Sequence, residues 1–385
     1  MNSSESAPFR SLAADRTNQI EAFAGCSDLS LPRPSFAING RFYSHPLTGV
    51  QRYAREIVLQ MDDLLHSQGS SAELILPPGV RASHGFAAIA PVATRATSGH
   101  VWEQLILPLQ ASTPLLNLCN TGPIALRRQI VCMHDTNVFD APISYSRLFR
   151  FVYRGLLPAL ARRATLVTTV SHASAQRLSH HLGIPASSIP VLPNGYEHTS
   201  KWNAEYSDLN VRLGGCRPFV LLLGSVAKHK NAAFILEQAL ALDEIGLDLV
   251  VAGGSRHIFA ETMMVNASNI HRLGFVTDDD LAWLYAHALC LAFPSLSEGF
   301  GIPLVEAMAL GCPIISSNRS CMPEICGDAA LLADAEDTIA WLAHFRRVAA
   351  SPSLRDDLRA RGQERVKRFS WRTSAASYLD LLTRM

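Results

Sequence analysis

The chain has 385 residues, and 48% of them are apolar, which is enough for two sizeable hydrophobic cores. Its formal net charge is only +1, so no general affinity for nucleic acid is indicated. The eight cysteines show no paired metal-ligand spacing, which favours a reduced, cytosolic setting over a disulfide framework.

Residues 1–34 lack the basic start and apolar core of a secretory signal, and we expect them to form a mobile tail. No stretch of the sequence reaches the roughly 18 uninterrupted apolar residues of a membrane span. We therefore expect a cytoplasmic location.

Strands and helices alternate from residue 35 onward. A helix begins at Thr48, where Gln51 three residues later indicates a capping box. The predicted strands of this part of the chain are 35–39, 72–76, 115–118, 129–133 and 166–170. Such alternation is typical of a doubly wound α/β domain, to which we assign residues 35–205.

A second alternating series follows the polar connection at 197–208. Its predicted strands are 219–223, 247–252 and 288–293, and its predicted helices include 231–242 and 280–288. We assign residues 206–369 to a second doubly wound domain and 370–385 to a terminal helix.

The segment from Ser297 to Glu306 sets two carboxylates around a glycine-rich turn. A buried strand precedes it, and a helix is predicted to follow with Pro303 in its first turn and Gly311 past its end. Glu298 is expected on the loop and Glu306 in the first turn of the helix. Ligands of open α/β sheets bind where strands end and helices begin, so both carboxylates should face a crevice that fits a nucleotide-linked sugar.

Two other interpretations of this segment exist. A glutamate near a helix start can simply favour the helix dipole. The run Gly299-Phe300-Gly301 also imitates the opening of a dinucleotide fingerprint, but its third glycine position is Leu304 and no suitable acidic residue follows. A dehydrogenase is therefore disfavoured.

The loop after strand 219–223 contains Lys228 and Lys230. Asn231 can cap the next helix, which would place Lys230 beside a helix N-terminus where an anion is favoured. A diphosphate leaving group fits such a position. The alternative for both lysines is a solvated surface charge.

The 297–306 segment resembles the Glu-x7-Glu signature of the retaining family 4 glycosyltransferases, which have a GT-B fold. The resemblance covers about residues 35 to 385. It implies two Rossmann-like domains facing each other across a cleft, with the terminal helix crossing back to the first domain. It also implies transfer of a hexose or deoxyhexose from a nucleotide sugar to a saccharide or polyprenyl-linked saccharide, without a metal or other cofactor.

The resemblance implies a role for each residue of the second domain that matches the family. Glu298 would position the sugar, Glu306 would accept hydrogen bonds from the ribose, and Lys230 would neutralise the diphosphate. Ser225 stands where the family usually has the arginine of an Arg-x4-Lys phosphate clamp, and Lys228 could compensate for it. The implied walls of the donor site are Gly253, Phe275, Gly299, Phe300, Gly301 and Ile302.

Matching positions also occur in the first domain. Gly49 looks like the family's glycine loop, whose amides approach the donor phosphate, although an ordinary strand-to-helix turn is the alternative. His134 resembles the family's histidine at the sugar end of the cleft, and Asp135 could fix its orientation. A lone histidine is otherwise more often structural. Arg41 and Asn120 are candidate contacts for the acceptor.

The triplet Asp278-Asp279-Asp280 could be mistaken for the metal-binding DxD motif of the other large glycosyltransferase fold. Because Leu281, Trp283 and Leu284 follow it, we interpret these acids as the start of a helix.

The segment 145–154, followed by Arg162 and Arg163, is basic and aromatic. Such a helix could rest on the inner face of an anionic membrane and bring the enzyme to a lipid-linked acceptor, or it could be a domain helix with an arginine-coated face. Two other functions also stay open: a nucleotide-sugar epimerase of the same fold, and an inactive partner that binds nucleotide sugar. The resemblance is greatest to bacterial enzymes of polysaccharide assembly, such as O-antigen synthesis, which often use GDP-mannose.

Overall fold

The structure is a computed structural model that describes residues 35–111, 114–144, 146–224, 227–253 and 267–385. The predicted tail at 1–34 and Ser225 lie outside the described residues. Among the residues described, no helix has the length and apolarity needed to cross a membrane.

The first half of the chain forms a six-stranded parallel sheet in the order β3-β2-β1-β4-β5-β6. Its strands are β1 (Ala37–Asn39), β2 (Ala72–Leu76), β3 (Ile89–Ala93), β4 (Leu115–Asn117), β5 (Gln129–Cys132) and β6 (Leu166–Thr168). The central strand β1 pairs Ile38 with Leu74 on one side and Leu116 on the other. All five predicted strands are present, and β3 is an additional edge strand.

Helices cover this sheet. They are α1 (Gly49–Ser67), α2 (Gly99–Val101), α3 (Leu107–Gln110), α4 (Asn137–Asp140), α5 (Arg147–Arg163) and α6 (His172–Leu182). Helix α1 buries Tyr53, Ile57 and Met61 at helical spacing, so one apolar stripe fixes its face against the sheet.

The second half forms another six-stranded parallel sheet in the order β12-β11-β10-β7-β8-β9. Its strands are β7 (Phe219–Leu223), β8 (Asp248–Ala252), β9 (Ile270–Gly274), β10 (Cys290–Phe293), β11 (Ile314–Ser317) and β12 (Ala330–Ala333). The central strands are buried on both faces, which explains their continuous apolar runs.

The helices of the second half lie on both faces of that sheet or connect its strands. They are α7 (Leu209–Arg212), α8 (Ala232–Leu236), α9 (Ala239–Glu244), α10 (Asp278–His287), α11 (Ile302–Ala309), α12 (Met322–Cys326), α13 (Thr338–Ala350) and α14 (Pro352–Val366). Pro303 opens α11 and Gly311 follows it with φ +70°, as predicted.

Two predicted helix caps are wrong. The Thr48 hydroxyl bonds to the side chain of Gln51 and caps no backbone N–H group, so no capping box forms. Asn231 is left-handed, with φ +54°, and its amide instead donates to the Ala335 carbonyl at 3.0 Å. The predicted helix 231–242 is also divided into α8 and α9, because Gln238 leaves the helical region between them.

The terminal helix α15 (Trp371–Thr383) crosses back and packs on α1. The Tyr378 hydroxyl lies 3.0 Å from both the Tyr53 hydroxyl and the Thr168 hydroxyl, and all three side chains are buried. Two doubly wound sheets joined by a returning helix confirm the predicted architecture.

Candidate active site

Lys230 and Glu298 meet at the carboxyl edge of the second sheet. Strands β7 and β10 are neighbours, so the loops that follow them emerge side by side. The Lys230 Nζ atom lies 2.6 Å from Glu298 Oε1 and 2.7 Å from Oε2. An ammonium group has three N–H donors, so a third donor is left for a phosphate oxygen. Lys228, on the same loop, is exposed.

The next loop fixes the backbone of Glu298. The Ser320 hydroxyl donates to the Glu298 carbonyl at 2.8 Å. Ser320 itself has φ +52°, a left-handed conformation that a serine adopts only when its surroundings impose it. Sequence reasoning missed Ser320, because nothing in its local pattern indicates a hydrogen bond to a loop 22 residues away.

Gly299 brings the two domains into contact. A Cβ atom at this position would lie 2.2 Å from the His134 carbonyl oxygen, so only glycine fits. The Gly299 carbonyl accepts hydrogen bonds from the hydroxyls of Ser171 at 2.7 Å and Ser174 at 3.0 Å. The glycine-rich turn is therefore part of the contact between the domains as well as a wall of the cleft.

His134 is buried between the domains. Its Nε2 atom lies 2.8 Å from the Leu118 carbonyl and 3.7 Å from Cys132 Sγ, and its ring meets Tyr53 edge-on. Because a carbonyl only accepts, Nε2 carries a proton and Nδ1 is left for a ligand hydroxyl. Burial lowers the pKa of His134, but the Cys132 thiol and the Leu118 carbonyl outweigh burial and raise it overall.

Asp135 does not orient the His134 ring, contrary to the prediction. One oxygen of its carboxylate instead accepts the Asn137 N–H group at 2.9 Å. Asn120 contributes to positioning, since its side-chain oxygen accepts the His134 N–H group at 2.7 Å and its own φ is +64°. The spacing of residues in the sequence could not predict that Asn120 rather than Asp135 positions His134, because Asn120 and His134 come together only through the pairing of β4 with β5.

Gly49 lies on the opposite wall of the cleft, at the N-terminus of α1. A Cβ atom there would touch only the Ile302 side chain, at an ordinary 3.5 Å, so packing within the protein does not require glycine. Residues of both domains enclose a cavity of about 340 Å³. The predicted site residues that line it are Gly49, His134, Lys230, Glu298, Gly299, Phe300, Gly301 and Ile302.

Glu306 lies in the second turn of α11, one turn later than predicted. It is buried, and its carboxylate accepts hydrogen bonds from His198 Nε2 at 3.0 Å and the Tyr285 hydroxyl at 3.1 Å. Trp371 Nε1 donates to His198 Nδ1 at 3.0 Å, so Nδ1 is an acceptor and Nε2 donates to Glu306. Glu306 is not among the residues that line the 340 Å³ cavity, so its contact with the ribose stays a prediction. Sequence reasoning missed His198 and Tyr285.

The ends of β7 and β8 approach each other closely at Gly224 and Gly253. Gly253 has φ +91°, and a Cβ there would lie 3.0 Å from the Gly224 carbonyl oxygen. Phe275 follows β9, and its ring is 87% exposed. The base-binding roles of Gly253 and Phe275 stay predictions.

The acidic triplet begins a helix, as predicted. Thr277 is the N-cap residue of α10, and its hydroxyl accepts the Asp280 N–H group while Asp280 accepts that of Thr277. Asp278 binds Arg52 of α1 through two hydrogen bonds of 2.7 and 3.2 Å. These acids therefore cap a helix and connect the domains.

The candidate acceptor residue Arg41 is mostly buried in the first domain. Its guanidinium group lies 3.2 Å from Glu103, which is itself buried, and donates to the Thr121 hydroxyl at 3.1 Å. Arg41 and Asn120 both line a second cavity, of about 420 Å³, next to the first.

The geometry defines a two-domain protein with a candidate site in the cleft, and comparisons with known proteins agree on the fold. Over 90% of this chain, the structure is similar to WaaG, a glycosyltransferase involved in lipopolysaccharide biosynthesis, with a TM-score of 0.66, 17% identity and 99% of that chain covered. It is also similar to sucrose-phosphate synthase from Thermosynechococcus elongatus, with a TM-score of 0.67, 17% identity and 98% of that chain covered. The fold is therefore GT-B.

Sequence comparisons identify the family. The profile "Glycosyl transferases group 1" matches residues 211–365, and "Glycosyltransferase Family 4" matches residues 113–200. O-antigen chain mannosyltransferase B of Escherichia coli is 30% identical over 261 residues, which are 65% of this chain and 68% of that protein. O-antigen chain mannosyltransferase RfbU of Salmonella typhimurium is 26% identical over 59% of this chain and 62% of that protein. The chain belongs to the family 4 glycosyltransferases.

Proposed function

We propose that this glycosyltransferase moves a hexose or deoxyhexose, with retention of configuration, from a nucleotide sugar to a saccharide or lipid-linked saccharide of a bacterial surface polysaccharide. GDP-mannose is the favoured donor, since the relatives named above are O-antigen mannosyltransferases. The observation that carries the proposal is the Lys230–Glu298 pair in the cavity between the domains.

The proposed reaction stabilises charge on the departing diphosphate. Lys230 and the N-terminal amides of α1 at Gly49 would bind its oxygens, and each such donor is worth about 10²–10³ in rate when it acts mainly in the transition state. Glu298 would hold the sugar and His134 would bind one of its hydroxyls. Neither group forms a covalent bond to the sugar, and no metal or other cofactor is part of the proposal.

The acceptor would approach on the face from which the diphosphate leaves. Its oxygen forms a bond to the anomeric carbon while the bond from that carbon to the diphosphate oxygen breaks. The electron pair leaves on the diphosphate, and a diphosphate oxygen takes the acceptor's proton. This route retains the configuration of the sugar.

We also propose that α5 rests on an anionic membrane. The helix contains no acidic residue and carries Arg147, Arg150, Arg154, Arg162 and Arg163. Its Leu148 and Phe151 side chains are 73% and 80% exposed. Cationic charge beside exposed apolar side chains is the pattern of an interfacial helix. Such contact would bring a lipid-linked acceptor to the cleft.

A donor panel tests the proposed function. Thermal shift with nucleotide sugars should identify a tight donor, because binding to the folded state raises the melting temperature. NMR of GDP-mannose incubated with enzyme and octyl α-mannoside should then show a new α-linked disaccharide. Conversion of the donor without any acceptor would indicate the epimerase, and binding with neither hydrolysis nor transfer would indicate the inactive partner.

A further inference from the structure

Three side chains of different chemistry meet at the amino-terminal edge of the second sheet, opposite the cleft. Cys216 precedes β7, Asp248 is the first residue of β8, and His271 is the second residue of β9. Strands β7, β8 and β9 are neighbours, so their first residues lie side by side. Ligand atoms of the thiol, the carboxylate and the imidazole all lie within 4.8 Å of one another. Strand pairing thus assembles metal-ligating groups that are 32 and 23 residues apart in the chain.

The thiol and the imidazole converge on a single carboxylate oxygen. Asp248 Oδ2 lies 3.3 Å from Cys216 Sγ and 2.9 Å from His271 Nε2. In a tetrahedral zinc site, bonds of about 2.0–2.3 Å place neighbouring ligand atoms about 3.3–3.6 Å apart. Both separations are within about 0.5 Å of these values. The side chains therefore already have nearly the spacing that a bound zinc ion requires.

Arg217 fixes the orientation of the carboxylate. Its Nε atom donates to Asp248 Oδ1 at 2.8 Å, and its backbone N–H group donates to Oδ2 at 3.1 Å. A carboxylate oxygen has two lone pairs, so Oδ2 keeps one that faces Cys216 and His271. Hydrogen bonds of this kind hold carboxylate ligands in place at metal sites. Only 6% of the Asp248 side chain is exposed, whereas 32% of His271 is exposed, which gives an ion a path from solvent.

We propose that Cys216, Asp248 and His271 bind a structural zinc ion. Thiolate, imidazole and carboxylate are ligands that zinc takes in proteins. On binding, the Cys216 thiol releases its proton to water, and the His271 ring carries its proton on Nδ1, so that Sγ and Nε2 each present a lone pair. The charges of the thiolate and the carboxylate balance the 2+ charge of the ion, and a water molecule takes the fourth position.

The site is separate from the donor cavity. Its ligands lie at the starts of the strands, whereas Lys230 follows the end of β7. Five residues of a parallel strand span about 16 Å, so the ion would not reach the diphosphate. It would instead join β7, β8 and β9 at one edge and stabilise the second domain.

Zinc titration of the full-length protein tests the proposal after chelator treatment and gel filtration. Equilibrium dialysis against zinc, followed by elemental analysis, should show about one ion per chain, and Cys216→Ser and His271→Gln should each weaken binding at least about tenfold. Zinc should raise the melting temperature of wild type and not that of these variants, because an ion that binds only the folded state stabilises it.

Cobalt in place of zinc reports on the ligands directly. The wild-type protein should show a thiolate-to-cobalt charge-transfer band in the near ultraviolet, and Cys216→Ser should lose it. Cys119→Ser and His66→Gln are matched controls, because Cys119 is the other half-buried cysteine of the described residues and His66 is exposed on α1. Both controls should bind zinc and cobalt as wild type does.

Two outcomes would overturn the proposal. Equal zinc affinity in Cys216→Ser, His271→Gln and wild type would place the ion elsewhere on the protein. A wild-type protein that retains no zinc on dialysis, or whose cobalt form lacks the thiolate band, would mean that the three side chains form only a hydrogen-bonded cluster around Asp248. The wild-type measurements need no variant, so they decide the matter even if a substitution prevents folding.

Discussion

Gly299 and His134 lie so close together that a Cβ on Gly299 would come within 2.2 Å of the His134 carbonyl oxygen. Gly299→Ala should therefore push the domains apart, because the atom it would strike belongs to the backbone and cannot rotate away. We expect transfer to fall at least tenfold and the melting temperature to fall as well, since the hydrogen bonds from Ser171 and Ser174 to this carbonyl would be strained.

Gly49→Ala is the matched comparison on the opposite wall. Its added Cβ meets only Ile302 at 3.5 Å, so the melting temperature should stay unchanged. If the α1 amides bind phosphate, the donor KM should nevertheless rise, because the added methyl group stands between these amides and the phosphate.

Each variant has its own contradicting outcome. Equal melting temperatures for Gly299→Ala and wild type would contradict the close contact between Gly299 and His134. An unchanged donor KM in Gly49→Ala would contradict the phosphate-binding role of the α1 amides.

Lys230→Ala and Glu298→Gln should each lower kcat strongly. Removing one preorganised donor from a developing anion typically lowers the rate about 10²–10³-fold, and the Lys230 ammonium is the cation that touches Glu298. Steady-state kinetics with the identified donor measure both effects. Lys367→Ala is the control. Lys367 follows the C-terminus of α14 and its side chain is 65% exposed, so its removal should leave the kinetics unchanged. Near-normal kinetics in both site variants would refute the site.

Glu306→Ala should act on donor affinity more than on kcat. Its carboxylate is held by His198 and Tyr285, and loss of the acceptor would leave two buried donors unsatisfied, which costs about 1–3 kcal/mol each. The melting temperature should therefore fall as well.

A nucleotide that lacks the ribose hydroxyls separates the two effects of Glu306. Calorimetry should show that 2′,3′-dideoxy-GDP binds wild-type protein more weakly than GDP does. In Glu306→Ala the two nucleotides should bind equally. If the variant still discriminates between them as wild type does, Glu306 does not bind the ribose, and its role is structural.

Much of the fold could be predicted because buried parallel strands are written in the sequence as apolar runs. Strands β7, β8 and β10 are of this kind. Strands β3, β9, β11 and β12 were not predicted. In β3 and β9, which lie at sheet edges, the exposed Pro91 and Arg272 interrupt the apolar pattern. The single helix predicted for 231–242 was wrong because its apolar periodicity continues through the break at Gln238.

Only those features of the candidate site that depend on neighbouring residues in the sequence, or on adjacent strands, could be predicted. Glu298 and Lys230 follow adjacent strands, so topology alone brings them to one edge. Ser174, Ser320 and His198 escaped prediction because each hydrogen-bonds to a group more than 20 residues away, two of them across the domain boundary we predict. Such pairings depend on how the two domains pack against each other, and this packing cannot be inferred from the residue types alone.

His229, next to Lys230, should make stability depend on pH. Burial, and then the charge of Lys230, lower the pKa of His229 from its usual 6.5. The unfolded chain therefore binds a proton more readily than the folded one, and the stability from neutral His229 is complete above pH 6.5 and lost as the pH falls below it. The melting temperature of His229→Asn should accordingly fall less than that of wild type between pH 7.5 and 5.5.

The difference between the two proteins isolates His229, because the other titrating groups are common to both. His134, whose pKa is raised, changes stability in the opposite direction and cancels in this comparison. In Lys230→Ala the difference should become smaller, since one cause of the shift is gone. Parallel melting curves for wild type and His229→Asn over the whole pH range would show that the two states of the chain bind protons at residue 229 equally.

Binding to anionic vesicles should depend on both the charge and the apolar side chains of α5. Replacing Arg147, Arg150 and Arg154 by glutamine should release the protein from vesicles that contain phosphatidylglycerol, since each arginine near such a surface contributes about 1 kcal/mol. Phe151→Ser should weaken binding without changing the charge, because its ring is 80% exposed. Liposome flotation at two salt concentrations measures both effects.

A charge-matched control lies far along the chain, on α13 and just after α14. Arg346, Arg347 and Arg368 are exposed there, and changing all three to glutamine lowers the net charge by three, as the α5 variant does, without touching α5. This control should float with anionic vesicles as wild type does, and none of the proteins should float with neutral phosphatidylcholine alone. Equal flotation of the α5 variants and the control would show that general charge rather than α5 attracts the protein. Absence of wild-type flotation would mean that α5 is an ordinary domain helix with an arginine-coated face.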